Sequence, residues 1–487
     1  MQADLGRDWR VPDLAALAGI SNRTLQRQFQ VFLGATPGAA LRDLRFESAR
    51  RELLQGSPHA KVMDIALRCG FPHFGRFSVE YRRRYGETPS QTLRRQATLA
   101  AALISMPTVF AGGQDRPTVA LTPIESGAED AEIARDIADE LSTALTRTGV
   151  SVTSQTRSAR YHLAGALRGS GAQARLSFRL IDGETGRHLW AHRSEAAIGG
   201  DFAAEQHLAA RIAAALQPYL RLAEIDRAQR KPDADLNAHD LTLRAMPHVL
   251  SMDAEGNARA LDLLDRASER DPDYPLAGAL AAWAHAQRII YHFSASAPEE
   301  RALSAELARK ALPRAGDATS LALLGNAYTS LRDLATAELV IRKALAVDGG
   351  SAWAWSRSGW IDLYKGDSDS AIERFKIALE LAPHDSLAFN NFVGIGCAHF
   401  NAGRYMEAAR WQERALAEHP SAAWVHRTLC PAYVLAGAEP EAHRSLVALR
   451  AQYPDLTVSR VQAGLPPLTP AYTGLLVGAL EAVGLPS

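Results

Sequence analysis

Two short segments carry side chains whose types and spacing suit hydrogen bonding to nucleic acid. In residues 21–30, Asn22, Arg23, Gln26 and Arg27 fall on one side of a helical wheel, opposite Leu25 and Phe29, which are four apart and point inward. An arginine spans the O6 and N7 of guanine with two parallel N–H groups, and an asparagine or glutamine amide matches the N6 and N7 of adenine. In residues 73–84 the outer positions are His73, Gly75, Arg76 and Val79, opposite Phe77 and Tyr81. Ser21, Ser78, Arg82 and Arg83 complete the candidate set. Hydroxyls and guanidiniums of this kind donate to phosphate oxygens, which fixes register without reading sequence.

Each segment is preceded by the elements needed to position it. Pro12 suits a first helical turn, where its missing N–H costs nothing, and Leu14, Leu17 and Ala18 give that helix an apolar face. Gly19-Ile20-Ser21 makes a tight turn, with Gly19 free to take a positive φ and Ser21 placed to cap the next helix. The scheme recurs at Val62, Ile65 and Ala66, then Gly70-Phe71-Pro72, then the helix carrying Phe77 and Tyr81. Helix, glycine turn and a second helix with a polar, basic outer face is a helix-turn-helix. Between the units, Leu41, Leu44, Ala49 and Leu53 predict a connecting helix. Two units on one body reach successive major-groove turns, ~34 Å apart.

The combination of residues 16–29 (ALAGISNRTLQRQF), Gly34 to Pro37, Arg45-Phe-Glu-Ser-Ala49, Ile65 to Phe71, Phe77-Ser-Val-Glu-Tyr81 and Tyr85-Gly-Glu-Thr-Pro89 resembles the AraC/XylS DNA-binding domain over about residues 8–95. The resemblance implies a paired helix-turn-helix that binds double-stranded DNA at a bipartite site. It makes Asn22–Gln30 and His73–Arg84 the recognition helices and puts base reading in the first on Arg23, Gln26 and Arg27. The second unit departs from the family pattern: Gly75 stands where serine is usual, His73 where a capping aspartate is usual, and Val79 offers no hydrogen bond. It is therefore expected to hold phosphates more than to read bases. The module also stands at the N-terminus, whereas the family more often carries it at the C-terminus.

Charge follows the same division. Residues 1–96 hold 16 Lys and Arg against 9 Asp and Glu, a net of +7, and the remainder balances it at −7. A basic end on an acidic body is the asymmetry of a nucleic-acid-binding module attached to a solvated partner. The three cysteines, Cys69, Cys397 and Cys430, form no C-x-x-C pair and argue for a reducing compartment without a disulfide framework. Met1 to Arg10 lacks the apolar stretch of a signal peptide. The longest apolar run, about Ala97 to Gly112, is interrupted by Pro107 and is shorter than the ~20 residues a membrane helix needs. The expectation is a cytoplasmic bacterial protein with no membrane association.

The expected fold class is mainly α and multidomain: residues 1–96 the DNA-binding domain, 97–115 a linker, 116–230 a small α/β domain, 240–456 about six helical repeats, and 457–487 a C-terminal cap. In the α/β part, Thr118–Thr122, Tyr161–Leu167, Arg175–Ile181 and His188–His192 read as strands, and Asp130–Arg147 and Phe202–Leu222 as helices. Gly169-Ser170-Gly171 reads as a hairpin turn, since no helix follows it as a phosphate loop requires. His188 and His192 lie on a strand, which argues against a metal role. The string LSFRLIDGETGRHLWA at 176–191 resembles the TolB-like amino-terminal domain. From about residue 240 a period near 34 emerges, clearest in 352–385, where Trp355, Gly359, Ala371, Phe375, Ala378 and Pro383 take tetratricopeptide-repeat spacings. Repeat tryptophans and tyrosines are expected in the core, and stacked copies give a superhelix with a concave face.

No nucleophile elbow, phosphate-binding P-loop, H-E-x-x-H, kinase or cyclase signature occurs, so no catalytic residue, metal or cofactor is assigned. The expected function is a sequence-specific transcription regulator whose repeats sense a signal or dock a protein partner, a small-molecule effector being left unnamed. The alternative is a protein-interaction scaffold with a degenerate, non-specific DNA-binding module.

Overall fold

The computed structural model describes residues 9–33, 35–55, 61–106, 116–169, 171–198, 202–294 and 296–486. The chain divides into two compact units, residues 1–105 and 106–487.

The described residues of the first unit form six helices: α1 (Val11–Leu17), α2 (Asn22–Leu33), α3 (Pro37–Gln55), α4 (Val62–Arg68), α5 (Phe74–Tyr85) and α6 (Pro89–Ser105). The α1–α2 and α4–α5 turns are built alike. Gly19 (φ +66°) and Gly70 (φ +79°) occupy the left-handed region, which costs an L-residue with a side chain but not glycine. After each glycine the chain folds back, Ile20 N–H donating to Ala15 O and Phe71 N–H to Ala66 O. Leu14, Ala15 and Leu25 form a small first core, with Trp9, Val11, Ile20 and Phe29 half-buried around it. The second core is larger: Phe46, Ala49 and Leu53 from α3 meet Ile65, Ala66, Cys69, Phe77 and Tyr81. A run of aromatic contacts from Phe46 through Phe71 and Phe77 to Tyr81 and Tyr85 ties α3 to α5. The stretch expected to be a linker from residue 97 is helical as far as Ser105, because its alanines and leucines extend α6; residues 107–115 lie outside the described residues.

The second unit begins with a five-stranded sheet, β1 (Thr118–Leu121), β2 (Ser151–Thr153), β3 (Tyr161–Arg168), β4 (Gly171–Asp182) and β5 (His188–Ile198), in the order β2-β1-β3-β4-β5. β1 runs parallel to β2 and β3, while β3, β4 and β5 are antiparallel. The three-residue β2 is too short to show a period in sequence. Leu176, Phe178 and Leu180 alternate into the core against Ile137, Leu141 and Leu145 of α7 (Ala131–Arg147). Ser170 of the expected hairpin turn lies outside the described residues. His188 and His192 sit on β5 as expected.

Helix α8 (Phe202–Arg230) runs past the end expected at Leu222. Its extension carries Glu224, which accepts from Tyr161 (2.7 Å) and pairs with Arg160 (2.8 Å) in the sheet module. Arg221 of the same helix pairs with Asp385 at 2.8 Å and lies over the Trp353 ring in the repeats. One helix thus clamps both parts of this unit.

Six helix pairs follow: α9/α10 (Ala238–Leu250, Ala254–Arg270), α11/α12 (Pro275–Ile290, Ala297–Ala311), α13/α14 (Ala318–Ser330, Leu334–Val347), α15/α16 (Ala352–Tyr364, Ser368–Leu381), α17/α18 (Ala388–Asn401, Tyr405–Glu418) and α19/α20 (His426–Leu435, Glu439–Gln452). Two further helices, α21 (Val458–Gly464) and α22 (Pro470–Ala482), close the end. The repeat signature has a packing cause. A Cβ on Gly359 would sit 2.9 Å from the Phe375 ring, so the small residue of the first helix receives the large one of the second.

Candidate nucleic-acid interface

In the first helix-turn-helix, Ser21 caps α2 as expected: Thr24 N–H donates to its Oγ at 3.1 Å, and the two hydroxyls lie 2.8 Å apart. The cap starts α2 so that Leu25 turns inward, 6% exposed. Asn22, Arg23, Gln26 and Arg27 then all lie on the exposed side. Among the described residues no carboxylate pairs with Arg23 or Arg27, which leaves both forks open for bidentate contacts.

In the second, His73 sits at the N-cap of α5 in extended conformation and makes no capping hydrogen bond, the consequence of an imidazole where a short acceptor would reach back. Phe77 and Tyr81 are buried at 1% and 0% exposure, and Tyr81 shares a hydrogen bond with Thr92 at 3.1 Å. His73, Gly75, Arg76, Arg82 and Arg83 are exposed. A Cβ on Gly75 would meet no atom within 4 Å, so packing does not require glycine there. Val79 is 73% exposed, an apolar side chain in the middle of the outer face. Ser78 is turned in: its Oγ is covered and has no hydrogen-bond partner, and it does not stand among the exposed phosphate candidates.

The structure sorts the arginines of this unit into two groups, a distinction absent from composition. Arg68 pairs with Glu52 at 2.6 Å, Arg95 with Glu87 at 3.3 Å, and Arg84 with both Asp43 (2.5 Å) and Glu80 (3.1 Å) while lying over the Phe46 ring. Arg50 covers the Tyr85 ring at 4.1 Å. These hold helices together. Arg23, Arg27, Arg76 and Arg82 make no ion pair among the described residues and project outward. Arg83 is intermediate, paired with Glu80 at 2.6 Å yet 73% exposed. Hydrogen bonds from Arg83 and Arg84 hold the Glu80 carboxyl below its ordinary pKa. Burial raises the Cys69 thiol to about 11, which marks it as packing rather than nucleophile.

Among the described residues no group of His, Cys, Asp and Glu is arranged to hold a metal ion. Among the described residues no helix is long and apolar enough to cross a membrane.

Comparison with known proteins agrees with this architecture. A family model for a helix-turn-helix domain matches residues 14–95, and one for a tetratricopeptide repeat matches residues 318–350. The probable thc operon regulatory protein of Rhodococcus erythropolis is 40% identical over 95 residues, 19% of this chain and 29% of that protein. Putative adenylate cyclase 3 of Rhizobium meliloti is 29% identical over 157 residues, 32% of this chain and 27% of that protein. The chain thus spans less than a third of either curated relative. A solved transcriptional regulator with an AraC-type DNA-binding domain, from Chromobacterium violaceum, is 33% identical, covering 20% of this chain and 85% of that one, with a TM-score of 0.19. The chain therefore joins an N-terminal helix-turn-helix domain to a C-terminal series of tetratricopeptide-like helix pairs, with a small sheet region between them.

Proposed function

We propose that this protein is a sequence-specific transcription regulator that binds a bipartite DNA site through residues 1–96. The observation that carries the reading is the unpaired polar face of α2, where Asn22, Arg23, Gln26 and Arg27 stand exposed behind a capped N-terminus. In this reading α2 enters the major groove and reads bases. Helix α5 enters the next turn and contributes mainly backbone contact through Arg82 and Arg83, with Arg76 and His73 at its leading end. Ser21 supplies a phosphate contact beside α2. Gly75 and Val79 leave little for base reading in the second unit.

The repeats serve as the docking or sensing part, the middle sheet is a TolB-like module, and the protein acts in the cytoplasm without catalytic activity. The strand alternation across 176–180 and the resemblance over 176–191 support the module assignment. Selection of bound DNA from a random pool with the full-length protein tests the reading. Enrichment of a two-part sequence is the expected result. Recovery of DNA without any enriched sequence overturns it in favour of a scaffold with a non-specific DNA grip, to which Val79 and Gly75 already lend weight.

A further inference from the structure

The repeats enclose a pocket of about 60 Å³. Its walls come from the first helices of five successive pairs, α11, α13, α15, α17 and α19, and its remaining side is closed by Leu465, Pro466, Leu468 and Tyr472 of the C-terminal cap. Arg332 holds that segment by donating to Leu465 O at 3.1 Å. Two arginines, Arg357 and Arg427, line the pocket, and among the described residues no aspartate, glutamate or lysine does.

Among the described residues neither cation has a carboxylate partner. Arg427 is 6% exposed and donates to Ile290 O at 2.6 Å, with His292 Nε2 at 3.2 Å, while its Nε has no partner. Arg357 meets the Tyr364 hydroxyl, and its Nε is also unpartnered. The indole N–H of Trp424, on the same wall, is a third buried donor without an acceptor. Burial lowers the pKa of both arginines and, with the Arg427 charge beside it, takes His292 down to about 3, so His292 is neutral and accepts. A buried cation without a counter-ion is costly, and buried donors are normally satisfied.

Repeat packing does not ask for these charges. Aligned on Ala337, Ala371, Ala408 and Ala442, Arg427 stands where the preceding repeats have Ala322, Ser356 and Val393, and Arg357 where the others have Leu323, Gly394 and Thr428. Neutral residues fill the same places in the same fold. The two departures converge on one pocket, together with aromatic walls from Trp283, Tyr291 and Trp360.

We infer that this pocket binds a compact oxyanion, a carboxylate or phosphate group on at most a few carbons, held between Arg357 and Arg427. The pocket has several times the ~10–15 Å³ that one water requires, enough for such a group and too small for a large ligand. The occupant would touch several successive repeats and the cap at once. The inference rests on the repeats alone and stands or falls separately from DNA reading.

The test is titration of the full-length protein with acetate, succinate and inorganic phosphate at constant ionic strength, with acetamide and chloride as controls. Binding is read by calorimetry and by the fluorescence of the pocket tryptophans. At least one oxyanion is expected to saturate, the carboxylate and phosphate arms identifying which chemistry the pocket prefers. Arg357→Leu and Arg427→Val, which copy Leu323 and Val393 of neighbouring repeats, are expected to weaken that binding more than ~10-fold, the loss of a hydrogen-bonded charge. Their melting temperatures without ligand are expected to equal or exceed that of the unaltered protein, because an uncompensated cation has gone. Absence of saturation by all three oxyanions, a chloride response of the same size, undiminished binding in both variants, or a lower melting temperature in both would each overturn the inference.

Discussion

The division of arginines into framework and outward groups makes a prediction in two directions at once. The Arg84 side chain is 27% exposed and makes two ion pairs, to Asp43 and Glu80, while lying 4.5 Å from the centroid of the Phe46 ring. Each pair at such an exposure contributes ~0.2–1 kcal/mol, and the ring contact ~0.5–1 kcal/mol. Arg84→Ala should therefore destabilise the packing of α5 against α3 by ~1–3 kcal/mol. Arg23 and Arg27 have no such partners, and their removal should leave stability within ~0.5 kcal/mol. Hydrogen exchange of the full-length protein reads the first effect locally: amides of α5 should exchange roughly 5- to 150-fold faster in Arg84→Ala and at unchanged rates in the other two. DNA binding reads the second. Once a site has been selected, Arg23→Ala and Arg27→Ala should each cost ~1–3 kcal/mol against it and relax sequence choice at one position. Arg83→Ala should weaken all sequences alike and lower the salt dependence by about one counter-ion. Equal loss of exchange protection in Arg23→Ala and Arg84→Ala, or equal relaxation of sequence choice by Arg27→Ala and Arg83→Ala, would refute the sorting.

Three further outcomes follow from particular contacts. A Cβ on Gly394 would lie 2.3 Å from the Phe375 ring, so Gly394→Ala should destabilise the repeats by ~1–3 kcal/mol in urea unfolding, even though alanine is the better helix former by ~1 kcal/mol. Gly75→Ser meets no steric obstacle and adds a donor to the outer face of α5. It should leave exchange in α5 unchanged or slower and sharpen selection in the second half of the DNA site. His292 titrates near 3 in the folded protein against an ordinary value of 6.5, because burial and then Arg427 oppose its protonation. The unfolded chain thus binds the extra proton between those values, and this residue makes stability fall as pH drops from about 6.5 towards 3, by at most ~1.4 kcal/mol per pH unit. Urea unfolding across that range should show a shallower dependence in His292→Gln, and an unchanged slope would remove His292 from the account.

Much of the first unit was legible because its signals are local. Gly19 and Gly70 punctuate helices whose apolar residues recur at three and four, and the same periodicity puts Arg23 and Arg27 outside. The sequence did not say that Arg84 is tied down while Arg82 is free, since the difference depends on Asp43, forty-one residues earlier. Nor did it say that Ser78 turns inward, because a serine at the edge of an apolar face satisfies either placement. The repeats were legible for the same reason as the first unit: Gly359 and Phe375 belong to one helix pair, and the rule that joins them repeats along the chain.

The pocket was hidden by that same regularity. A tryptophan or tyrosine in an Ala-rich helix at repeat spacing reads as core, and Trp360 does pack edge-on against Phe375. Its indole N–H nevertheless donates to Asn390 at 2.9 Å beside the pocket, so one residue serves both the core and the wall. What distinguishes the pocket is departure from the repeat: arginine where the neighbouring copies place Leu323 or Val393. A repeat protein is stabilised by contacts between neighbours, so residues that serve stacking should recur from copy to copy. Those that break the recurrence, lie inside, and leave donors unanswered are better explained by something the stack encloses than by the stack itself.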